Sequence, residues 1–237
     1  LKQPGLGALP SKRLKKALKA HGLSNIPLPF EPNEAIANWA AEAKKSSLEA
    51  TASALVAQVD KIKKPQGPIQ VVPPQRLNTA RLLTAAQLLQ NKDAKEAIKV
   101  PGYSLSCLVL AGARAIGLKA ALVEIHRVSD HRGPADPSGT RGRFGVALFA
   151  KAYTQKEPDV VIDPTSGKLN NAAEIDLLDD QTALAHYLNH RAQHMLSAGP
   201  DSSVAMMLAN AAVQMARSSA TIQCGRGVVM LAVGGIQ

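Results

Sequence analysis

Aromatic residues make up only 3% of this 237-residue chain: three phenylalanines, three tyrosines and one tryptophan. Interface hot spots and catalytic clefts lean on aromatics, so their scarcity weighs against a deep peptide-binding groove. Two cysteines, Cys107 and Cys224, fall in different elements and do not form a disulfide framework. They neither require nor exclude an oxidising compartment. No run reaches the roughly 18 apolar residues needed to span a bilayer. Acidic residues are absent from Leu1 to His21, which holds Lys2, Lys12, Arg13, Lys15, Lys16 and Lys19 behind a Pro-Gly-Leu-Gly start. That composition suggests a flexible basic tether over residues 1–30. The formal charge of +10 comes without basic runs interleaved with aromatics and without a nucleic-acid motif, which argues against nucleic-acid binding. Attraction to an acidic partner or an anionic surface fits the charge equally well. Because the chain begins with Leu1 and not Met, a periplasmic or envelope-associated location is favoured over a cytoplasmic one.

What is present is a chain 46% hydrophobic, enough for one sizeable core and a small helical appendage. Glu34 to Lys63 is helical in composition until Pro65-Gln66-Gly67-Pro68 breaks it, and Arg76 to Ala97 reads as a further helical run. Tyr103 to Ile116 is apolar on most sides and predicts a buried helix stopped by Gly117. Ala120 to Val128 is β-prone, the polar segment Ser129 to Arg143 reads as a loop, and Arg143 to Tyr153 and Asp159 to Ile162 read as strands. The expected class is α+β, with helices packed on a small antiparallel sheet.

The order from Gly102 to Gly167 resembles the transglutaminase-like core, a relative of the papain-type cysteine hydrolases. Ala115-Ile116-Gly117-Leu118-Lys119-Ala120 looks like that family's exit from the nucleophile helix, and Val161-Ile162-Asp163-Pro164-Thr165-Ser166-Gly167 looks like its Asp strand. The resemblance implies that a cysteine should open the helix and a His-Ala-Trp-like triplet the next long strand. Counting back from Gly117 by that family's usual helix length, the resemblance puts Gly102 at the nucleophile position, with Cys107 about one and a half turns too late. Phe144-Gly145-Val146 falls where the histidine triplet belongs, so only Asp163 remains of the three. A thiolate attacks because an imidazole and a helix N-terminus lower its pKa, and the carboxylate only orients the imidazole. Glycine supplies no nucleophile and phenylalanine no transferable proton. The resemblance therefore implies a catalytically inactive protein-interaction or scaffold module with Gly102, Phe144 and Asp163 as degenerate triad positions and no cofactor. It would act through its helical repeats and its cleft, which either is filled structurally or binds a peptide without cutting it.

An active alternative uses Cys107 as nucleophile, His126 or His131 as base and Asp163 as orienter. Against it, Cys107 lies among Leu105, Leu108, Val109 and Leu110, where a cysteine is ordinarily an inert core residue. Asp163 in Asp-Pro-Thr-Ser-Gly also has a plain meaning, since its carboxylate can satisfy the donors of a turn.

The C-terminal segment carries an internal repeat. Arg191, Met195, Leu196 and Gly199 recur 35 residues later as Arg226, Met230, Leu231 and Gly234. Between the copies, Asp201 to Ala216 supplies another amphipathic helix with Ala205, Leu208 and Ala212 on one face. Helical hairpins of this length resemble the tetratricopeptide pattern, although Ser218-Ser219 stands where a proline usually closes the second helix and the usual tryptophan is absent. The implied domains are a tether over 1–30, a transglutaminase-like domain over 31–178 and tetratricopeptide-like repeats over 179–237. The pairing of the two resembles a bacterial arrangement. Such repeats bind through exposed polar residues, which makes Asn189, His190, Arg191 and Arg226 the candidate contacts with a protein partner. His186, His190 and His194 stand four apart on one helix, a spacing that suits a metal ladder but fits a solvated face or groove contact better, so no metal is expected. A third possibility is a structural spacer in a larger envelope or motility assembly.

Overall fold

A computed structural model of the chain describes residues 8–63, 68–72, 80–128, 143–151, 157–170, 172–198 and 202–234. Helices α1 (Ser11–Ala20), α2 (Glu34–Ala41) and α3 (Leu48–Ile62) lead into strand β1 (Ile69–Val72), helix α4 (Ala85–Gln90) and strand β2 (Ile98–Pro101), which pairs in parallel with β1. The central helix α5 (Gly102–Ala115) follows at once, then β3 (Lys119–Val128), β4 (Arg143–Phe149), β5 (Val160–Asp163), β6 (Lys168–Leu169) and β7 (Ala172–Leu178). These five strands make one antiparallel sheet in the order β6-β5-β4-β3-β7. Helices α6 (Asp180–Ala198), α7 (Ser202–Met215) and α8 (Ala220–Gly234) pack together after it. This is the mixed arrangement of helices with a small antiparallel sheet that the order of elements predicts.

Helix α5 is buried from Tyr103 to Ala113 because nearly every position is apolar or small. Its end is set by Gly117 at φ +85°, a conformation that side chains resist. The Gly117 N–H reaches the Arg114 carbonyl and the Leu118 N–H reaches Ala113, so two terminal carbonyls are satisfied at the turn. The sheet lays Leu122, Phe144, Val146, Leu148 and Ile162 into the same core as α5. Alternate residues Ala121, Val123, Ile125, Ala147, Phe149 and Val161 form a second, smaller cluster on the opposite face. That split is the period-two geometry of strands. Each fully buried leucine or valine in these clusters stabilises the fold by about 1.5–3 kcal/mol relative to exposure.

Several expectations change. The supposed tether contains α1, whose Leu14 and Leu18 stand four apart and are buried. Its lysines and Arg13 occupy the remaining faces, which is why composition alone suggested a loose segment. Glu34 to Lys63 divides into two helices because Asn33 and Ser47 each cap a new N-terminus, accepting from the Ile36 and Ala50 N–H groups. In the run from Arg76 to Ala97 the described helix is only α4, opened by a reciprocal Thr84–Gln87 capping box and closed at Asn91. The second strand of the sheet ends at Phe149, and Tyr153 lies outside the described residues.

The C-terminal helices are locked to α5 by an ion pair. Arg114 reaches both Asp180 oxygens, at 3.0 and 2.7 Å, and also donates to the Ala120 carbonyl. Asp180 is 2% exposed and also accepts from the Leu9 N–H at 2.8 Å. One carboxylate thus joins α6, α5 and the entry to α1.

Candidate functional site

Gly102 opens α5 directly after β2, and Phe144 lies near the start of β4 beside it. Ser106, one turn into the helix, donates to the Phe144 carbonyl at 2.9 Å and lies 3.2 Å from the Gly102 carbonyl, so helix and strand are fastened at this point. The space a nucleophile would need is already filled. A Cβ built on Gly102 would fall well inside van der Waals contact of Thr165 Oγ1, in the turn after β5. Gly102→Ala is expected to destabilise the fold by about 1–3 kcal/mol, and adding Thr165→Ala to recover most of the loss, as read by urea unfolding midpoints. If Gly102→Ala alone leaves the midpoint unchanged, the hydroxyl does not fill the site.

Asp163 does not join this group. Val146 pairs with Ile162, so Asp163 follows on the same face as Gly145, while Phe144 faces the helices. The carboxylate is fully buried and forms an ion pair with Arg143, whose position in β4 gives it the same facing. It also accepts from the Thr165 N–H at 3.1 Å, the Ser166 N–H at 3.3 Å and the Ser166 hydroxyl at 2.7 Å. The three expected triad positions therefore lie on elements that contact one another but do not converge: Asp163 turns away from Phe144 and serves the turn.

Where the histidine ring was expected, the Phe144 ring sits in a cluster of rings. It meets Tyr103 edge-on at 4.9 Å, His186 at 5.1 Å and His190 at 5.6 Å between centroids. Both histidines come from α6, and both are buried. Among the described residues neither ring nitrogen of His186 has a hydrogen-bond partner, and His190 Nδ1 has none. Burial, and for His186 the neighbouring His190, lowers their pKa values to about 3 and about 4. Glu124 Oε2 lies 3.8 Å from His186 Nε2, beyond hydrogen-bond range, while its other oxygen accepts from the Thr221 hydroxyl at 2.8 Å. The carboxylate therefore offsets little of the burial penalty. Sequence spacing placed these histidines on a solvated face or in a groove; they are interior because α7 and α8 pack on α6 and the sheet side of α6 faces Tyr103 and Phe144. Among the described residues no group of three His, Cys, Asp or Glu side chains is placed to hold a metal ion.

The active alternative fares poorly in its geometry. Cys107 is fully buried, and burial pushes its thiol far above its usual range despite the lowering influence of Tyr103 and Arg114. The Tyr103 hydroxyl beside it donates to the Ala183 carbonyl at 2.6 Å. His126 stands on β3 with its Nε2 2.9 Å from an Asp176 oxygen, and His131 lies outside the described residues. Asp163 is engaged as above.

The four proposed partner contacts separate. Asn189 and His190 are buried, so the expectation that they line an exposed face does not hold; α8 covers Asn189, and the Phe144 cluster covers His190. Arg191 Nη1 approaches the Tyr187 hydroxyl at 3.4 Å, and Arg226 Nε donates to Asn210 Oδ1 at 2.8 Å, tying α8 to α7. Among the described residues the exposed large apolar side chains are instead Met207 on α7 and Val228, Met230 and Leu231 on α8, positions that carry no polar signal in the sequence. No helix among the described residues is long and apolar enough to cross a membrane. No family model, curated protein or solved structure matches the chain.

Proposed function

We propose that this chain is a catalytically inactive transglutaminase-like protein that acts as an interaction or scaffold module through its tetratricopeptide-like helices. The observation that carries the reading is the filling of the would-be active site: Thr165 against Gly102, and the Phe144 ring packed on Tyr103, His186 and His190. Asp163, the one chemical group retained, faces the other side of the sheet and is bound by Arg143 and the turn. Among the described residues no nucleophile–base pair stands at these positions, which supports the inactive reading. A filled cleft equally suits a structural spacer in a larger envelope or motility assembly, and the exposed apolar side chains of α7 and α8 favour interaction over the spacer. The interaction reading therefore rests on the helical surface and leaves the cleft out.

Thiol chemistry tests the inactive assignment. In the folded protein, iodoacetamide is expected to modify exposed Cys224 and to leave Cys107 unmodified until denaturant is added. Mass spectrometry of the two cysteine peptides reads the result. Rapid native-state modification of Cys107 that accelerates around neutral pH would establish an activated thiol and end the inactive reading.

A further inference from the structure

The two copies of the repeat, α6 and α8, touch each other in a way that says what their outer faces receive. Asn189 of α6 lies against Gly225 of α8, so closely that a Cβ on Gly225 would overlap the Asn189 amide. Gln193 and Leu196 continue the Asn189 face one and two turns along α6, and both are half-buried. A shift of 35 residues carries Asn189, Gln193 and Leu196 onto Cys224, Val228 and Leu231 of α8. There the same face is open. Cys224 is exposed, Val228 is 52% exposed and Leu231 is 78% exposed, with Met230 beside them at 46%. Helix α8 carries one charged residue in its 15, Arg226, and that side chain is turned to Asn210 on α7. The helix thus presents outward, uncharged and uncovered by any described residue, the face with which its repeat partner receives a helix.

We propose that this face of α8 binds an amphipathic α-helix of a partner protein, seated on α8 as α8 is seated on α6. The buried side of α8 defines what such a helix needs: Ile222, Gly225 and Val229, an apolar residue, then a glycine three positions on, then an apolar residue four further. The glycine equivalent lies over Cys224. Because the chain carries a formal charge of +10, acidic residues on the solvent side of the incoming helix are favoured, and a second copy of this chain is disfavoured by like charge. The inference deepens the interaction reading above and rests on it.

The probe is a stapled helical peptide of about four turns with Ile-x-x-Gly-x-x-x-Val spacing and glutamate on its outer face. At a peptide concentration ten times its Kd, alkylation of Cys224 is expected to slow about tenfold. Leu231→Glu and Val228→Glu are expected to remove that protection while leaving the thermal unfolding midpoint unchanged, since both side chains already face solvent. Unslowed Cys224 alkylation overturns the proposal, and so does undiminished protection in both glutamate variants. A concentration-dependent dimer in sedimentation, cross-linked through Cys224, also overturns it by assigning the face to a second copy. Failure of the inactive reading is separately visible, because it registers as native-state modification of Cys107 whatever Cys224 does.

Discussion

Lowering the pH from 7 to 5 is expected to remove roughly 4 kcal/mol of folding stability through two histidines alone. His186 and His190 are buried in the Phe144 cluster with pKa values near 3 and 4 in the folded chain, against about 6.5 when unfolded. Between those values the unfolded state binds more protons than the folded one, so stability rises with pH. The contribution is complete above about 6.5 and is lost progressively as the pH falls towards the folded-state values. At pH 5 the folded imidazoles are still neutral, and each site costs about 2 kcal/mol because the unfolded chain has taken up its proton. Typical domains hold only about 5–15 kcal/mol in total. Urea unfolding across this range reads the effect, and the double variant His186→Leu/His190→Leu should show a much flatter dependence. If the variant keeps the wild-type slope between pH 7 and 5, the histidines are not the titrating groups.

Truncating Phe144 is the second large effect. The ring contacts Tyr103, His186 and His190 at 4.9–5.6 Å between centroids and is fully buried. Phe144→Ala removes those contacts and leaves a cavity that α5, fastened to β4 through Ser106, cannot collapse into, at a cost of about 3–5 kcal/mol. Chemical denaturation at neutral pH measures it. A loss well under 1 kcal/mol would mean that the ring lies over accessible space, which would reopen the cleft as a binding site. The variant also bears on the first expectation: with water admitted beside His186 and His190, their pKa values should climb and the acid sensitivity of what stability remains should shrink.

How much of this was legible in advance depended on whether the cause was local. The end of α5 could be read because Gly117 supplies a left-handed turn in place, and the strands after it because their β-prone runs are bounded by turn residues. Helix α7 could be read from the periodicity of Ala205, Leu208 and Ala212. The parallel pairing of Ile69–Val72 with Ile98–Pro101 could not, since two four-residue strands gain their order only from each other across the intervening helix. At the site, the residue types at Gly102, Phe144 and Asp163 were visible, and so was the missing chemistry. The opposite facing of Asp163 was not, because it follows from which residue of β5 pairs with Val146, and only the assembled sheet sets that register. The burial of His186, Asn189 and His190 escaped for a related reason. A helix with polar residues reads as solvated until its neighbours are in place, and α6 is flanked by α5, the sheet, α7 and α8.

The Asp180 junction has a consequence for synthesis. Leu9, Arg114 and Asp180 meet at one carboxylate although 171 residues separate the outermost two. At translation speeds of about 5–20 residues per second, the amphipathic Ser11–Ala20 segment waits on the order of ten seconds or more on the ribosome before its anchor emerges. Through that interval Leu14 and Leu18 have no finished seat, and the surrounding lysines that keep this helix hydrated also keep the nascent chain from sticking to its neighbours.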